Sequence, residues 1–311
     1  MHIRELEDPD GNLVYNAEEW FSPADEQKTN AAFLAAVSNL NWPVAADDPP
    51  LREGRWRALI GMTDSEGSFI KGDVDVDILF KSDADATAGT VRVALVHSVD
   101  EDPGLKVAID QAKGLWTDLY ASIGLTLEIE DWQTTDEGLA PPTAGDPRYA
   151  EIAEATGLRT IVVALTDEID TSQLNIDSLV GQIVGISGGI PGALTPSPRS
   201  AVQVSTLAAV GTDGIISEAE IRLLAETLAH ETAHYLGLFH PVEALVGGMP
   251  WSVFDALTDT PRCGGQTRCI NLLGNNLMFP FPVCDFDGTC EPQEQFSGEQ
   301  IEVLQRYTGV D

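Results

Sequence analysis

The stretch His-Glu-Thr-Ala-His-Tyr-Leu-Gly-Leu-Phe-His, residues 230 to 240, constrains this chain more than any other, and it holds three of the five histidines. On a helix, positions four apart stand one turn apart on the same face, so the imidazoles of His230 and His234 can meet one metal ion. Glu231 lies in the same turn. Its carboxylate can reach a water at that ion without being a ligand, which is where a general base has to stand. Gly237 permits a left-handed residue that ends the helix, and the chain can then turn back to bring His240 to the same ion. Three nitrogen ligands leave a fourth position open, the form of a catalytic rather than a structural zinc site.

A lone H-E-x-x-H also turns up by chance on helices that bind nothing. Here it extends to H-E-x-x-H-x-x-G-x-x-H, and the added glycine and third histidine at fixed spacing set the motif apart from that background.

With 311 residues, 43% of them hydrophobic, the chain can bury a sizeable core in two domains or in one large domain with an extension. No run approaches the roughly 18 apolar residues of a membrane-spanning helix, so no membrane span is expected. The opening residues MHIRELEDPDGN lack the apolar core of a signal peptide, as a trimmed mature chain also would. The formal charge of −33 repels nucleic acid and anionic membranes and favours cations such as calcium. Salt adaptation and plain solubility both account for such an acid excess.

Residues 1–88 read as a small β-rich N-terminal domain, either accessory or a pro-segment. Ser22 to Leu40 has helical spacing, and Asn41 to Pro50 breaks it. Arg55 to Ile60 alternates as a strand. Val74, Val76, Ile78 and Phe80 alternate with Asp73, Asp75 and Asp77, which predicts a strand with one wet face; a calcium ladder is the rival reading of those aspartates. The small, polar segment Lys81 to Thr90 marks the boundary.

Past it the pattern becomes α/β. Val91 to Val99 reads as a strand, residues 103 to 123 as an amphipathic helix, and Leu125, Leu127 and Ile129 as a second strand, which suggests a crossover in a mainly parallel, twisted sheet. Residues 133 to 148 read as a loop. Thr160 to Leu165 is an apolar run of the kind buried on both faces of a sheet. Ala201 to Ser205, entered from a Gly/Pro-rich loop, is expected at a sheet edge, where an extended substrate can pair with free backbone groups. Ser217 and Glu220 form a capping box that starts the helix running into His230. Little regular pattern follows His240 until a last helix near Gly298 to Tyr307, so the C-terminal part is expected to be irregular.

All four cysteines, Cys263, Cys269, Cys284 and Cys290, follow the histidine motif. The spacing C-x5-C, repeated twice, is not the tight C-x2-C of zinc knuckles, and disulfides in an oxidising compartment are favoured over a second metal site. Three pairings remain open.

Met278 lies in Asn275-Asn276-Leu277-Met278-Phe279-Pro280. With the three histidines upstream, residues 91 to 311 resemble the metzincin clan of zinc metallopeptidases, and the chain is most similar to the pappalysin family. That second likeness rests on Asp259-Thr260-Pro261 after the third histidine, on cysteines flanking Met278, and on Phe296-Ser297-Gly298-Glu299-Gln300 opening the last helix. The resemblance implies that residues 89–311 form a zinc peptidase domain in which Met278 supplies the apolar floor, or Met-turn, beneath the histidines. It also implies structural calcium, for which Asp255, Asp259, Asp285 and Asp287 offer oxygens; a plain Asp/Gly turn accounts equally for Asp285 to Gly288. Two positions depart from the pattern. Pro241 after the third histidine is a serralysin trait, although the glycine-rich calcium repeats of serralysins are missing. Pro280 stands where pappalysins and astacins place a tyrosine that supports the transition state, which leaves that task to zinc and main-chain amides.

The expected activity is therefore that of a secreted, monomeric zinc endopeptidase acting on proteins or peptides. His230, His234 and His240 would hold zinc, Glu231 would be the general base, and Phe279, Pro280 and Phe281 would wall the pocket for the side chain after the cut. The alternative from another class is a zinc-stabilised binding protein with a protease fold and no turnover. Residues 1–88 hold no cysteine, so latency through a thiolate on zinc is excluded; a carboxylate from that region is the remaining candidate.

Overall fold

The computed structural model describes residues 2–17, 38–44, 48–62, 64, 68–81, 86–98, 102–134, 139–170, 183–210, 216–244, 251–284, 290–307 and 309–311. Most of the helix expected over Ser22 to Leu40 lies outside them, as do Asp285 and Asp287.

The N-terminal region contains a three-stranded antiparallel sheet. Its strands β1 (His2–Glu7), β2 (Leu13–Asn16) and β3 (Arg57–Gly61) run in the order β2-β1-β3. Between β1 and β2, the Asp8 carboxylate accepts from the main-chain N–H groups of Asp10 and Asn12 at 2.9 and 2.8 Å, which closes the turn.

The strand expected over Val74 to Phe80 does not form. Val76, Ile78 and Phe80 are 59%, 70% and 67% exposed, and no pairing strand flanks them among the described residues. The alternation promised a buried face, but this stretch is a strap held at single points: Thr195 Oγ1 donates to Asp77 Oδ2 at 2.8 Å, and Arg159 donates to the Phe80 carbonyl. Contacts also cross the expected boundary at 88. Val44 joins the main hydrophobic core, Asn39 Nδ2 donates to the Gly192 carbonyl at 2.6 Å, and Gln305 Nε2 donates to the Thr87 carbonyl at 2.8 Å.

The larger unit is a three-layer α/β arrangement. Its elements, in chain order, are β4 (Gly89–Ser98), α1 (Pro103–Ala121), β5 (Leu125–Thr134), α2 (Pro147–Thr156), β6 (Thr160–Thr166), β7 (Gly185–Ser187), β8 (Val202–Ser205), α3 (Thr206–Val210), α4 (Glu218–Tyr235), α5 (Gln266–Leu273) and α6 (Gly298–Arg306). The five strands order as β5-β4-β6-β8-β7, and all neighbours are parallel except β7 with β8. The mostly parallel sheet read from the sequence is present. Helix α2 falls mainly beyond the stretch read as loop; Asp146 caps it by accepting from Arg148 N, and Pro147 opens it.

Alternate residues of β6 serve opposite faces. Ile161, Val163 and Leu165 join the core under α1 and α4, whereas Val162 and Ala164 pack with Tyr149 and Ala153 of α2. That is why the run is apolar throughout. Helices α1 and α4 pack together, and Tyr120 Oη donates to the Ala229 carbonyl at 3.0 Å.

One expectation about the sheet is corrected. Strand β8, read as an edge, is interior: β6 and β7 flank it, and its four residues are fully buried. Among the described residues the edge is β7, three half-buried residues within the Gly-rich stretch. Polar Gln203 and Ser205 are buried in β8, and their side chains donate to the Leu139 and Asp167 carbonyls.

Candidate metal centre

Helix α4 begins at Ser217, where both halves of the capping box are formed. Leu224 and Leu228 are fully buried against α1 and the sheet, each contributing about 2 kcal/mol of burial. This seating holds the helix rigidly enough to aim the side chains of its last turns. The helix closes at Leu236, and Gly237 follows with φ 113°, a left-handed value that favours glycine. The chain then reverses and brings His240 back to His230 and His234.

The three imidazoles converge through their Nε2 atoms. His234 Nε2 lies 3.1 Å from His240 Nε2, which lies 3.3 Å from His230 Nε2. Zinc–nitrogen bonds at tetrahedral angles would set such nitrogens about 3.3 Å apart. Each opposite ring nitrogen is engaged. His230 Nδ1 donates to the Leu277 carbonyl and His234 Nδ1 to the Leu238 carbonyl, both at 2.6 Å, while His240 Nδ1 lies 3.1 Å from both carboxylate oxygens of Glu243. With the proton on Nδ1, each Nε2 presents a lone pair toward the others. Three acceptors that cannot satisfy one another need a shared cation, and the residues therefore fit zinc.

Electrostatics agree. Burial, aided by the neighbouring His240 imidazole, pushes His230 down to about 3, and burial holds His234 well below its ordinary value. Both rings are thereby kept neutral, the state that ligates metal. Burial pushes the Glu231 carboxyl up to about 8; a cation at the histidines would favour its charged form and oppose that shift. Among the described residues, these three histidines are the only such group of potential ligands, and no carboxylate from residues 1–88 joins them.

Met278 is fully buried in a tight turn, in which Phe279 N donates to the Asn276 carbonyl at 3.0 Å and Met278 N to Asn276 Oδ1 at 2.9 Å. The turn touches the triad through the Leu277 carbonyl that accepts from His230. Phe279 is buried in an aromatic cluster with Trp251 and Phe281, and Pro280 and Phe281 are half-buried. Of the aspartates considered for calcium, Asp255 accepts from Thr260 Oγ1 at 2.6 Å, and Asp259 accepts from Ser297 Oγ and Glu299 N, both at 2.8 Å. The Asp259 bonds fasten the loop after His240 onto the start of α6, while the Asp255 bond braces that loop internally. The disulfides are Cys263–Cys269 and Cys284–Cys290, which resolves the open pairing.

Three residues have roles at the site that the sequence does not show. Gly185, on β7, backs directly onto Glu231: a Cβ there would lie 2.4 Å from Glu231 Cγ. Glu243 holds His240. Gln300, fully buried in α6, exchanges amide hydrogen bonds with Asn276 at 2.8 and 3.3 Å and so fixes the Met278 turn. Gln300 stood within a motif noted for its family likeness, but its contact with Asn276 is purely tertiary.

Neither a scan against protein-family models nor a search of curated proteins returned a match. Similar solved structures include metalloproteinase-II from Bacteroides fragilis, 17% identical over 49% of this chain, with a TM-score of 0.30. The match spans 43% of that protein's length. An archaemetzincin from Methanopyrus kandleri is 17% identical over 71% of this chain and 88% of its own, with a TM-score of 0.31. Myroilysin is 13% identical over 71% and 94%, with a TM-score of 0.29.

Proposed function

We propose that this chain is a secreted zinc-dependent endopeptidase of the metzincin kind, most like the pappalysins, acting on proteins or peptides as a monomer. The observation that carries the reading is the convergence of three Nε2 lone pairs, each backed by an engaged Nδ1, beside the buried carboxyl of Glu231. Zinc bound there supplies a Lewis acid for the scissile carbonyl and lowers the pKa of water toward about 7. Glu231 takes the proton of the attacking water and passes it to the leaving amine.

The half-buried edge strand β7 leaves one row of backbone groups for an extended substrate, taking the role the sequence had suggested for residues 201 to 205. Met278 floors the histidines, and Phe279, Pro280 and Phe281 wall the pocket for the side chain after the cut. Two disulfides support secretion, and no described helix is long and apolar enough to cross a membrane. Calcium bound by Asp255 and Asp259 is retained only as part of the pappalysin likeness.

Incubating the purified chain with a mixed peptide library, with and without a zinc chelator, tests this reading. Cleavage that the chelator abolishes and added zinc restores is expected. Zinc binding without cleavage of any peptide would instead favour the binding-protein alternative, for which the missing tyrosine at 280 is the one supporting feature.

A further inference from the structure

The three histidines are not held alike. His230 and His234 stand on α4, and their Nδ1 atoms donate to main-chain carbonyls, acceptors that no side-chain substitution removes. His240 lies outside any helix, and both oxygens of the Glu243 carboxylate stand 3.1 Å from its Nδ1. The following Pro241 is buried and biases the backbone of His240 toward extended conformations, a restriction that does not act on the side-chain torsions of the ring.

Glu243 is itself fixed by its backbone. Its N–H donates to the Val253 carbonyl at 2.8 Å, and its carbonyl accepts from Trp251 N at 2.9 Å. This two-bond clamp joins the segments on either side of residues 245–250. It does not depend on the glutamate side chain, so residue 243 can be changed without releasing the loop.

We propose that Glu243 is the positioning residue of this metal centre: its charged carboxylate holds the proton of His240 on Nδ1, turns Nε2 toward His230 and His234, and so sets the affinity for zinc. The inference rests on the zinc reading above. A carboxylate behind a ligating imidazole fixes its tautomer and strengthens its donor nitrogen, and loss of such a partner typically weakens metal binding by about 10- to 100-fold.

Zinc affinity, measured by competition with a chromophoric chelator, should fall by about 10- to 100-fold in Glu243→Ala. Glu243→Gln keeps an acceptor but loses the charge, and it should fall between the two. Nitrogen NMR of the metal-free protein supplies a readout that a merely structural role would not move. His240 should be the Nδ1–H tautomer in the parent and a mixture in Glu243→Ala, with melting temperatures unchanged because the backbone clamp persists. Unchanged zinc affinity in Glu243→Ala, full recovery in Glu243→Gln, or an Nε2–H tautomer of His240 in the parent would each overturn the proposal. A parent chain that binds no zinc at all would instead refute the metal reading on which it stands.

Discussion

Gly185 and Glu231 are in such close contact that a single methyl group on the glycine would stand 2.4 Å from Glu231 Cγ and 2.7 Å from Oε1. The edge strand and the proposed general base are thereby packed as one unit. Glycine is required at 185 for space rather than for an unusual backbone angle.

Gly185→Ala should therefore push the Glu231 carboxylate out of place while leaving the three histidines untouched. A misplacement of about 1 Å is enough to cost on the order of 100-fold in rate. Peptide cleavage and bound zinc, measured on the same preparation, check this: kcat/KM should drop by about that factor with zinc stoichiometry unchanged. Activity equal to the parent's would show that the contact does not position Glu231.

Glu226 predicts a pH dependence of stability. Burial lifts its carboxyl to about 7 from an ordinary 4.5, against the opposing Gln293 N–H and Arg222. The folded chain thus keeps a proton that the unfolded chain has already released. The stability this contributes is complete below about pH 4.5 and is lost as the pH rises through 7. Glu226→Gln, whose amide oxygen can still accept from Gln293 N, should be more stable than the parent above pH 7 by on the order of 2 kcal/mol. Urea unfolding at pH 5 and pH 8 measures the difference, and parallel shifts in the two proteins would contradict the assignment.

Gln300 should matter to both stability and activity. Gln300→Ala removes both amide bonds to Asn276 and leaves buried polar groups unpaired, at a cost of about 1–3 kcal/mol. Because Asn276 also accepts from Met278 N, the turn beneath His230 should loosen. The expected result is a lower urea midpoint together with weaker zinc binding; a loss of stability alone would confine Gln300 to capping α6.

Each disulfide closes a short loop, with a sequence separation of 6, and chain entropy assigns such a loop about 2 kcal/mol. Cys263→Ser with Cys269→Ser, and separately Cys284→Ser with Cys290→Ser, should each destabilise the fold by about that amount. Peptide mapping without reduction should recover only the two short-range pairs.

Much of this architecture was legible because its signals are local. The spacing of His230, His234 and Gly237 reports helix geometry and helix ending, and Ser217 with Glu220 reports a cap; none depends on a distant partner. The apolar run at Thr160 to Leu165 reported a strand buried on both faces. Two readings failed where a local pattern had a non-local explanation. Val76, Ile78 and Phe80 alternate like a buried strand, yet they are exposed and no sheet of the described residues lies under them. The segment Ala201 to Ser205 follows a Gly-rich loop and so reads as an edge, because the three-residue strand β7 in that loop is too short to show a period. The roles of Gly185, Glu243 and Gln300 are illegible for the same reason. A glycine, a glutamate and a glutamine acquire their roles only when the fold brings Glu231, His240 and Asn276 against them.

The central claim is that Glu231 moves a proton at a zinc ion held by His230, His234 and His240. Its most direct test is Glu231→Gln, assayed on the zinc-loaded chain with a cleavable peptide identified from the library. The substitution keeps size and packing while removing the base, so full zinc content and an unchanged melting profile are predicted, with peptide cleavage reduced by at least about 100-fold. Cleavage at the parent's rate by a zinc-loaded Glu231→Gln chain would contradict the account.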